Sequence, residues 1–212
     1  MGKSRLAIIG SSSLGRQLAG HAVSSGNFEV VGFFDDFSEA SPEILGTVSA
    51  IDATFAECAF DCLTVGVGYK VMGFRHRIFD IYRERIPFAK IIHSSVIVDS
   101  TALVRDGAVL LANTVIDQRV TIGGNCFLSI AVTVSHDSLI GESSYLSPRV
   151  TVCGNCRIGK RVFLGAGSII RDGVEICDDV VIGAGAVVLR NITVPGVYIG
   201  NPAKIMREGY YD

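Results

Sequence analysis

The fold is decided by residues 116–146, which read IDQRVTIGGNCFLSIAVTVSHDSLIGESSYL. Every sixth residue of this stretch is Ile, Leu or Val, and the same period continues without a gap from Ile92 to Val194. The position four residues after each of these anchor residues is small or β-branched in nearly every hexad. A fixed period sustained over about half of a chain indicates a repeat architecture, in which each unit packs on its neighbours.

The period of six predicts a triangular prism over residues 91–212. Each hexad supplies one short strand and one corner, so three hexads complete a turn and the eighteen hexads make about six turns. The anchor residue fills the prism, and the small residue tucks under the corner. At the ~4.8 Å spacing of stacked strands, the prism is roughly 29 Å long. Glycine follows the anchor at five positions, where we expect it to relieve the backbone at the turn: Gly123, Gly141, Gly159, Gly165 and Gly183.

Residues 1–90 predict a separate α/β domain with a parallel sheet, because apolar strand-like runs alternate with helical patterns. The predicted strands are 5–10, 29–34, 63–68 and 88–92, and the predicted helices are 14–25 and 71–86. A ligand crevice is expected at the carboxyl ends of the strands.

The turn between the first strand and helix favours a phosphate group over a whole nicotinamide cofactor. Residues 10–15 begin and end with glycine but lack the middle glycine of the dinucleotide fingerprint. A helix N-terminus there still offers N–H groups to phosphate. Asp35 and Asp36, after the second strand, suit hydrogen bonds to a nucleobase or ribose. The competing interpretation, ordinary turn and cap residues, stays open on these residues alone.

Charge and hydropathy exclude several classes of partner. The net charge is −2, with no block of like charges, so neither nucleic acid nor an anionic membrane is expected as the main partner. No apolar run approaches the ~20 residues that a spanning helix needs. No export signal is apparent at the first residues, so we expect a cytoplasmic protein.

The four cysteines of the repeat are expected to be packing residues. Cys126 and Cys156 fall on small inward positions of the repeat, and Cys153 and Cys177 lie beside anchors. A disulfide framework does not fit a chain of this length without an export signal. No second cysteine pair or spaced histidine completes a zinc site around Cys153 and Cys156. Redox or metal roles remain the alternative, and no metal is expected.

Among the four histidines, His136 is the candidate for catalysis. It lies two residues after an anchor, at a corner that points outward, and Asp137 follows it. A histidine can remove a proton from an attacking amine or hydroxyl, and a neighbouring carboxylate can hold its tautomer. A plain surface histidine is the alternative. His93 is expected to be structural, and His21 and His76 to lie on exposed helix faces, His76 beside Arg75 and Arg77.

Residues eighteen apart should stack on adjacent turns, which identifies two columns. Gly154 lies above His136, where a side chain would crowd a ligand that reaches the imidazole. On another corner, Gly165-Ala166-Gly167 stacks under Gly183-Ala184-Gly185. This smooth column suits a thin ligand such as the pantetheine arm of coenzyme A, although hexad corners favour small residues in any case.

With these residues, the chain resembles the family of sialic-acid O-acetyltransferases and nucleotide-amino-sugar N-acetyltransferases over nearly its whole length. The residues that carry the resemblance are the Gly10–Gly15 turn, Asp35-Asp36, Val67-Gly68, Ile92-His93, Ser135-His136-Asp137 and the closing Gly200-Asn201-Pro202-Ala203-Lys204. Members of that family join a Rossmann-like nucleotide-sugar domain to a left-handed parallel β-helix of hexapeptide repeats and act as homotrimers with active sites between subunits.

The resemblance implies a role for each candidate residue. It makes His136 the general base and Asp137 its partner. It places acetyl-CoA, the co-substrate, against Tyr145, Gly154, Ala166 and Ala184, and the nucleotide sugar against Ser12, Ser13, Leu14, Asp35, Asp36 and Gly68. The family often has histidine where Leu14 and Tyr145 stand here.

The expected function is therefore acetyl-CoA-dependent N-acetylation of a UDP- or dTDP-linked amino-deoxy sugar, a 4-amino-4,6-dideoxy sugar by the resemblance, in the synthesis of cell-surface glycans such as lipopolysaccharide or O-antigen. O-acetylation of a sugar hydroxyl, such as that of sialic acid, is the enzymatic alternative. A non-catalytic trimeric scaffold that binds nucleotide sugars is the alternative of another class. Outward apolar residues, for which we take Ile130, Val132 and Phe163, are expected to need cover in a trimer.

Overall fold

The computed structural model describes residues 2–209 and divides into two compact units, Met1–Ile91 and Ile92–Asp212. The first unit is a four-stranded parallel sheet with helices, in the strand order β3-β2-β1-β4. Its elements are β1 Ser4–Ile9, α1 Ser13–Ser24, β2 Phe28–Phe34, β3 Ile44–Gly46, a 3₁₀ turn Val48–Ala50, α2 Ile51–Ala56, β4 Cys62–Val65, a second 3₁₀ turn Tyr69–Val71 and α3 Met72–Tyr82.

The predicted parallel α/β arrangement is present in this unit, and the structure adds β3 and α2. The two elements are three and six residues long, too short for their periodicity to be recognised in the sequence. The strand predicted at 88–92 does not join this sheet except through one bridge, from Leu63 to Phe88. The edge strand β3 lies close to Gly32 of β2. A Cβ at Gly32 would lie 2.7 Å from the carbonyl oxygen of Glu43, so glycine at this position allows the close approach. Helix α1 buries Gly15, Leu18 and Ala22 on one face, at the spacing expected of an amphipathic helix.

The second unit is a parallel β-solenoid that matches the left-handed β-helix. Its strands are β5 Ile91–Ile92, β6 Ile97–Val98, β7 Leu103–Val104, β8 Val109–Leu110, β9 Val115–Ile116, β10 Thr121–Ile122, β11 Phe127–Leu128, β12 Thr133–Val134, β13 Leu139–Ile140, β14 Tyr145–Leu146, β15 Thr151–Val152, β16 Arg157–Ile158, β17 Phe163–Leu164, β18 Ile169–Ile170, β19 Glu175–Ile176, β20 Val180–Ile182, β21 Val187–Val188, β22 Gly196–Ile199 and β23 Lys204–Glu208. The sheet β21-β18-β15-β12-β9-β6 has one strand per turn and shows about six turns.

The eighteen-residue register predicted from the sequence is observed along the prism. Val134, for example, pairs with Ile116 on the turn before and with Val152 on the turn after. Anchors from Leu110 to Val188 are at most 3% exposed and form one continuous core with the small inward residues. The hydrophobic effect, at roughly 25 cal/mol per Å² buried, therefore acts along the whole axis of the solenoid.

The corner geometry differs from the prediction. From Gly107 to Gly185, every sixth residue has a left-handed φ, and this residue stands three positions after the anchor. The glycines that directly follow anchors have no positive φ. They allow adjacent turns to approach, since a Cβ at Gly123 would lie 2.8 Å from the backbone nitrogen of Glu142, and one at Gly141 would overlap the carbonyl of Gly159.

The hexad register ends earlier than the sequence pattern does. Ile176 bridges Ile192, and Ile182 pairs with Tyr198, so the last turn is two residues short. Val194, counted as the final anchor, is 45% exposed. The side-chain oxygen of Asn191 accepts the N–H of Glu175, which takes the place of a strand carbonyl and lets the chain leave the period.

Burial corrects several smaller predictions. Val132 is an inward corner residue with no exposed area, whereas Ile130 is 48% exposed as predicted. Arg75 is fully buried and donates to the carbonyls of Val65 and Val67, so that part of α3 is not a solvated face. His76 next to it is mostly buried too, and pairs with Asp80.

The four cysteines of the repeat follow the prediction, since they are buried or half-buried. Cys126 and Cys156 are completely buried, and their thiols donate to the carbonyls of Gly141 and Arg171. Burial raises the pKa of the Cys156 thiol. All six cysteines are free thiols, and residues 2–209 contain no cluster of side chains suited to hold a metal ion. Within the same residues, no helix combines the length and apolar character needed to cross a membrane.

Candidate active site

His136 and Asp137 form a dyad on one corner of the solenoid. The chain turns there between β12 and β13, and the left-handed φ of Asp137, +60°, makes the corner. The side chain of His136 is 49% exposed, and its Nδ1 lies 2.9 Å from Oδ2 of Asp137. Because Asp137 occupies Nδ1, the neutral imidazole favours the tautomer that carries its proton there. Nε2 is then left with a lone pair that can accept a proton.

Gly154 supplies the space for the imidazole. A Cβ on Gly154 would lie 2.7 Å from Cε1 and 2.8 Å from Nε2 of His136. The N–H of Gly154 donates to Oδ1 of Asp172 on the next turn, at 2.9 Å. The sequence placed Gly154 above His136, where a side chain would crowd a ligand; in the structure it would crowd the imidazole itself.

Arg119 holds Asp137 from the turn below, a contact that the sequence analysis missed. Its Nε and Nη2 donate to Oδ1 and Oδ2 of Asp137 at 2.6 and 2.9 Å. Hydrogen bonds from Arg119 first, and from His136 second, lower the pKa of Asp137 far below its usual range. The signal that could have found this pair is the spacing of eighteen residues between a basic and an acidic residue at equivalent corner positions.

Ala166 and Ala184 lie on a different corner, one turn apart. Both are exposed. Their backbone N–H groups have no backbone partner in the part of the chain that the structure describes, while the N–H of Gly185 is taken by the carbonyl of Ala166. The column is therefore narrow, smooth and able to donate two hydrogen bonds.

Tyr145 lies on a flat face of the prism, and one chain does not bring it to His136. Its ring stacks on Phe127 at 4.5 Å and contacts Phe163 at 5.8 Å between ring centroids. The corner of His136 joins the other two faces, since it lies between β12 and β13 while Tyr145 is in β14. The base, the alanine column and Tyr145 thus occupy separate places on a single subunit.

The first unit contains a cavity of about 690 Å³ at the carboxyl ends of its strands. Its lining includes Ser12, Asp35 and Asp36, which the sequence analysis selected. The other lining residues are Ile9, Gly10, Ser11, Arg16, Phe34, Phe37, Ser38, Val48, Val67, Val71 and Phe74. Ser13, Leu14 and Gly68 do not line it.

The two aspartates in this cavity have different partners. Asp35 accepts the N–H and hydroxyl of Ser11 through Oδ2, both at 2.7 Å, and the N–H of Phe37 through Oδ1 at 2.9 Å. Burial would raise the pKa of Asp35, but these hydrogen bonds outweigh it and lower the pKa. Asp36 accepts the N–H of Val48 through Oδ1 at 2.8 Å, and its Oδ2 has no partner among residues 2–209. Asp36 is therefore the aspartate with an unused acceptor.

Three glycines bring the start of α1 against the strand ends. A Cβ at Gly15 would overlap the carbonyl oxygen of Gly10, and a Cβ at Gly66 would lie 2.7 Å from Cα of Gly15. Ser12 is the N-cap of α1, and its side chain makes no capping hydrogen bond. The hydroxyl and the first N–H groups of the helix are consequently able to meet an anionic group.

The remaining histidine at the start of the repeat is a turn residue. Nδ1 of His93 accepts the N–H of Ser95 at 3.1 Å and lies 2.9 Å from its hydroxyl. His93 therefore shapes the first corner, in agreement with the structural role predicted for it.

The repeat matches a known family at the sequence level. The bacterial transferase hexapeptide (six repeats) family matches residues 137–172 and 155–190. No curated protein sequence matches the chain closely enough to count as a relative. The solved structures, however, extend the match to the whole chain.

The acetyltransferase domain of PglB from Neisseria gonorrhoeae is 28% identical, with a TM-score of 0.88, over 96% of this chain and 100% of that domain. The chain therefore resembles the hexapeptide-repeat acyltransferases, in its repeat and in its fold. The same PglB domain has been solved in complex with acetyl coenzyme A.

A second acyltransferase of the same fold is PerB from Caulobacter crescentus, solved in complex with CoA and GDP-perosamine. It is 25% identical with a TM-score of 0.86, and the match covers 98% of each chain. A histidine-to-alanine mutant of this GDP-perosamine N-acetyl transferase, 25% identical with a TM-score of 0.88, was also solved with CoA and GDP-perosamine, again over 98% of each chain. The resemblance stated from the sequence is confirmed by these matches.

Proposed function

We propose that the protein transfers the acetyl group of acetyl-CoA to the amino group of a nucleotide-linked amino sugar. The observation that carries the proposal is the His136 imidazole, whose Nδ1 is held by Asp137 and whose Nε2 faces away from that contact on an exposed corner. The PglB and PerB domains, which share the architecture over nearly all of both chains, support the same chemistry.

In this reaction the amine nitrogen attacks the thioester carbonyl and His136 accepts the proton that the nitrogen loses. The tetrahedral intermediate then collapses, the C–S bond breaks, and the sulfur leaves to give free CoA and the N-acetylated sugar. His136 can return the proton to the departing sulfur. General-base assistance of this kind contributes about 10²–10⁴ in rate.

Acetyl-CoA fits the alanine column. Ala166 and Ala184 project no bulk from the corner, and their N–H groups can donate to the amide carbonyls of a pantetheine arm. Gly154 then contributes by leaving room for the imidazole, and the hydroxyl of Tyr145 offers a further hydrogen-bonding group in place of the family's histidine.

The nucleotide portion fits the cavity of the Rossmann-like first unit. The N-terminus of α1 at Ser12 suits a phosphate, with Ser13, Leu14 and Gly68 as neighbours of that site. The unused Oδ2 of Asp36 accepts hydrogen bonds only, so it suits an N–H donor of the base or a ribose hydroxyl. Phe37 beside it is 98% exposed and available to stack on a base. We infer that the nucleotide is UDP or dTDP, as expected from the sequence, or GDP, as in the ligand of PerB, and that it carries a 4-amino-4,6-dideoxy sugar destined for a cell-surface glycan.

The active form is a homotrimer in the cytoplasm, with sites completed between subunits. His136 and the alanine column lie on different corners of one chain, so a second copy can bring its alanine column to the base. The exposed side chains of Ile130 and Ile169 provide apolar surface for such contacts.

A substrate panel tests the proposal. The full-length protein is mixed with acetyl-CoA and each of a set of UDP-, dTDP- and GDP-linked 4-amino sugars, and the release of free thiol is followed together with the mass of the product. We expect thiol release and a gain of one acetyl group on the amine with at least one of them. Acetylation of a hydroxyl in a matched sugar without the amine would establish the O-acetyltransferase instead. Binding without thiol release would establish the scaffold.

A further inference from the structure

Arg119 and Asp137 form a bidentate ion pair directly beneath the histidine, and the corner backbone fixes its geometry. Both residues have left-handed φ values, +55° and +60°, at equivalent positions of successive turns. Two donors of one guanidinium meet both oxygens of one carboxylate, at 2.6 and 2.9 Å. Such a fork is stronger and more directional than a single contact. Its Oδ2 is the same oxygen that lies 2.9 Å from Nδ1 of His136.

We propose that Arg119 is a positioning residue for the acetyl-transfer reaction: it fixes Asp137 as a charge-balanced carboxylate, which then orients the His136 imidazole. This inference rests on the proposed function of His136 as the base. Arg119 touches neither the imidazole nor the reacting atoms and acts through Asp137.

The physical reason lies in what a free carboxylate does to a histidine. An isolated carboxylate within ~4–6 Å favours the charged imidazolium, which cannot act as a base. The guanidinium offsets that negative charge while leaving the oxygen in place to accept the Nδ1 proton. The dyad therefore keeps the orientation of the imidazole without adding an unbalanced negative charge beside it.

Other charged and titratable groups around the imidazole act in addition to this pair. They are Asp117, whose Oδ2 accepts the His136 backbone N–H at 3.2 Å, and Asp172, which accepts the N–H of Gly154. Cys153 precedes Gly154 in the chain, and burial raises the pKa of its thiol. The two aspartates are negative and favour the imidazolium. Arg119 is the cation that the structure places next to Asp137, so its removal leaves three carboxylates around His136.

The chain contains a matched control. Arg161 and Asp179 repeat the same pair on another corner, eighteen residues apart, with both contacts at 2.7 Å and left-handed φ values of +53° and +59°. The residue before Asp179 is Asp178, so no histidine is attached to this pair. Arg161 also lies 3.7 Å from Oδ2 of Asp178, so Arg161→Gln removes at least as much charge pairing as Arg119→Gln and leaves the dyad intact.

The experiment compares Arg119→Gln, Arg119→Lys and Arg161→Gln in the full-length protein. The ring protons of His136 are titrated by NMR, with the signal assigned from its loss in His136→Asn, and kcat/KM is measured against pH. In Arg119→Gln we expect the midpoint of the His136 titration to rise by roughly half a pH unit or more. The acidic limb of the kcat/KM profile should move by the same amount. Arg161→Gln should leave both unchanged.

Arg119→Lys separates charge from geometry. Lysine keeps the positive charge but lacks the planar fork, so we expect a midpoint close to the native value with a reduced kcat. The proposal is overturned if the titration midpoint of Arg119→Gln equals those of the native protein and of Arg161→Gln. The NMR titration needs no substrate, so a protein without acetyltransferase activity would refute the proposed function and still decide the role of Arg119.

Discussion

A Cβ atom on Gly154 would lie 2.7 Å from Cε1 of His136 and 2.8 Å from its Nε2. The imidazole thus occupies the volume that any other residue at position 154 would need. Corner residues eighteen apart stack on adjacent turns. The size of the residue at position 154 therefore decides whether the His136 imidazole on the turn below has room.

Gly154→Ala should therefore displace the imidazole and lower kcat. A shift of about 1 Å at a catalytic group can cost about 10²-fold in rate. The measurement is kcat and KM for acetyl transfer, with trimer formation checked by light scattering. Gly20→Ala is the matched control, because a Cβ at this exposed position of α1 meets nothing within 4 Å. A Gly154→Ala enzyme with native kcat would show that the imidazole position is not critical.

His136→Asn should fold and bind both substrates but lose about 10²–10⁴ in kcat, since asparagine cannot accept the proton at neutral pH. Retained binding is expected because the His136 side chain is half exposed and lies on a different corner from the alanine column. Asp137→Ala should lose less, because its role is to orient the ring. His21→Asn, on α1, serves as the control. Native kcat/KM in His136→Asn at pH 7.5 would mean that the amine loses its proton to another acceptor.

Asp35 and Asp36 should separate into a structural and a binding residue. Asp36→Ala is expected to raise the KM for the nucleotide sugar and leave that for acetyl-CoA unchanged, because Oδ2 is the unused acceptor in the cavity. Phe37→Ala should act in the same direction. If Asp36→Ala raised the KM for both substrates equally, the assignment of the nucleotide sugar to the first unit and of acetyl-CoA to the solenoid would be wrong.

Asp35→Ala should instead destabilise the loop that carries Ser11, because three hydrogen bonds are lost. The folded pKa of Asp35 lies below its ordinary value, so its contribution to stability is present above that ordinary value. That contribution is lost as pH falls through the folded pKa. Thermal unfolding of the native protein and of Asp35→Ala should consequently differ at neutral pH and converge in strong acid. A constant difference at all pH values would contradict this.

The trimer can be tested together with its shared sites. Light scattering should give about three times the 22.5 kDa of one chain. Two inactive variants, His136→Asn and Ala166→Trp, should recover part of the activity when their subunits are mixed by refolding or co-expression. A mixed trimer contains a site that joins a native His136 to a native alanine column, whereas each variant alone contains none. A monomeric mass, or mixtures no more active than their components, would refute an active site shared between subunits.

Much of the solenoid could be predicted because its rule is local and repeated. The residue type at each anchor and each small inward position indicates its place in the hexad, so the register from Leu110 to Val188 follows from counting. Counting failed at the last turn, where the side chain of Asn191 takes the place of a strand carbonyl. An apolar residue still occurs at the next sixth position, Val194, although it is not an anchor in the structure. The two short elements β3 and α2 were missed because three and six residues carry too little pattern to be distinguished from a loop.

The candidate site was predictable as a set of residue types and less so as a set of contacts. His136-Asp137 was visible as a pair of neighbours, and Gly154 as its partner at eighteen residues. The contact of Arg119 with Asp137 depends on two side chains whose directions are set by left-handed corners, which the period alone did not reveal. The difference between Asp35 and Asp36 also depends on partners, Ser11 and Val48, that are distant in sequence.

The sequence by itself determined the prism, the outward position of His136 and the stacking of its column, because a six-residue period converts position in the chain directly into position in space. Only the tertiary structure decided which oxygens and N–H groups are already engaged and which remain to meet a ligand. Hydrogen-bond partners are chosen by distance and direction to within a few tenths of an ångström, and those depend on every turn that packs around them. The period sets where a side chain stands, and the packed neighbours set what it is still able to bind.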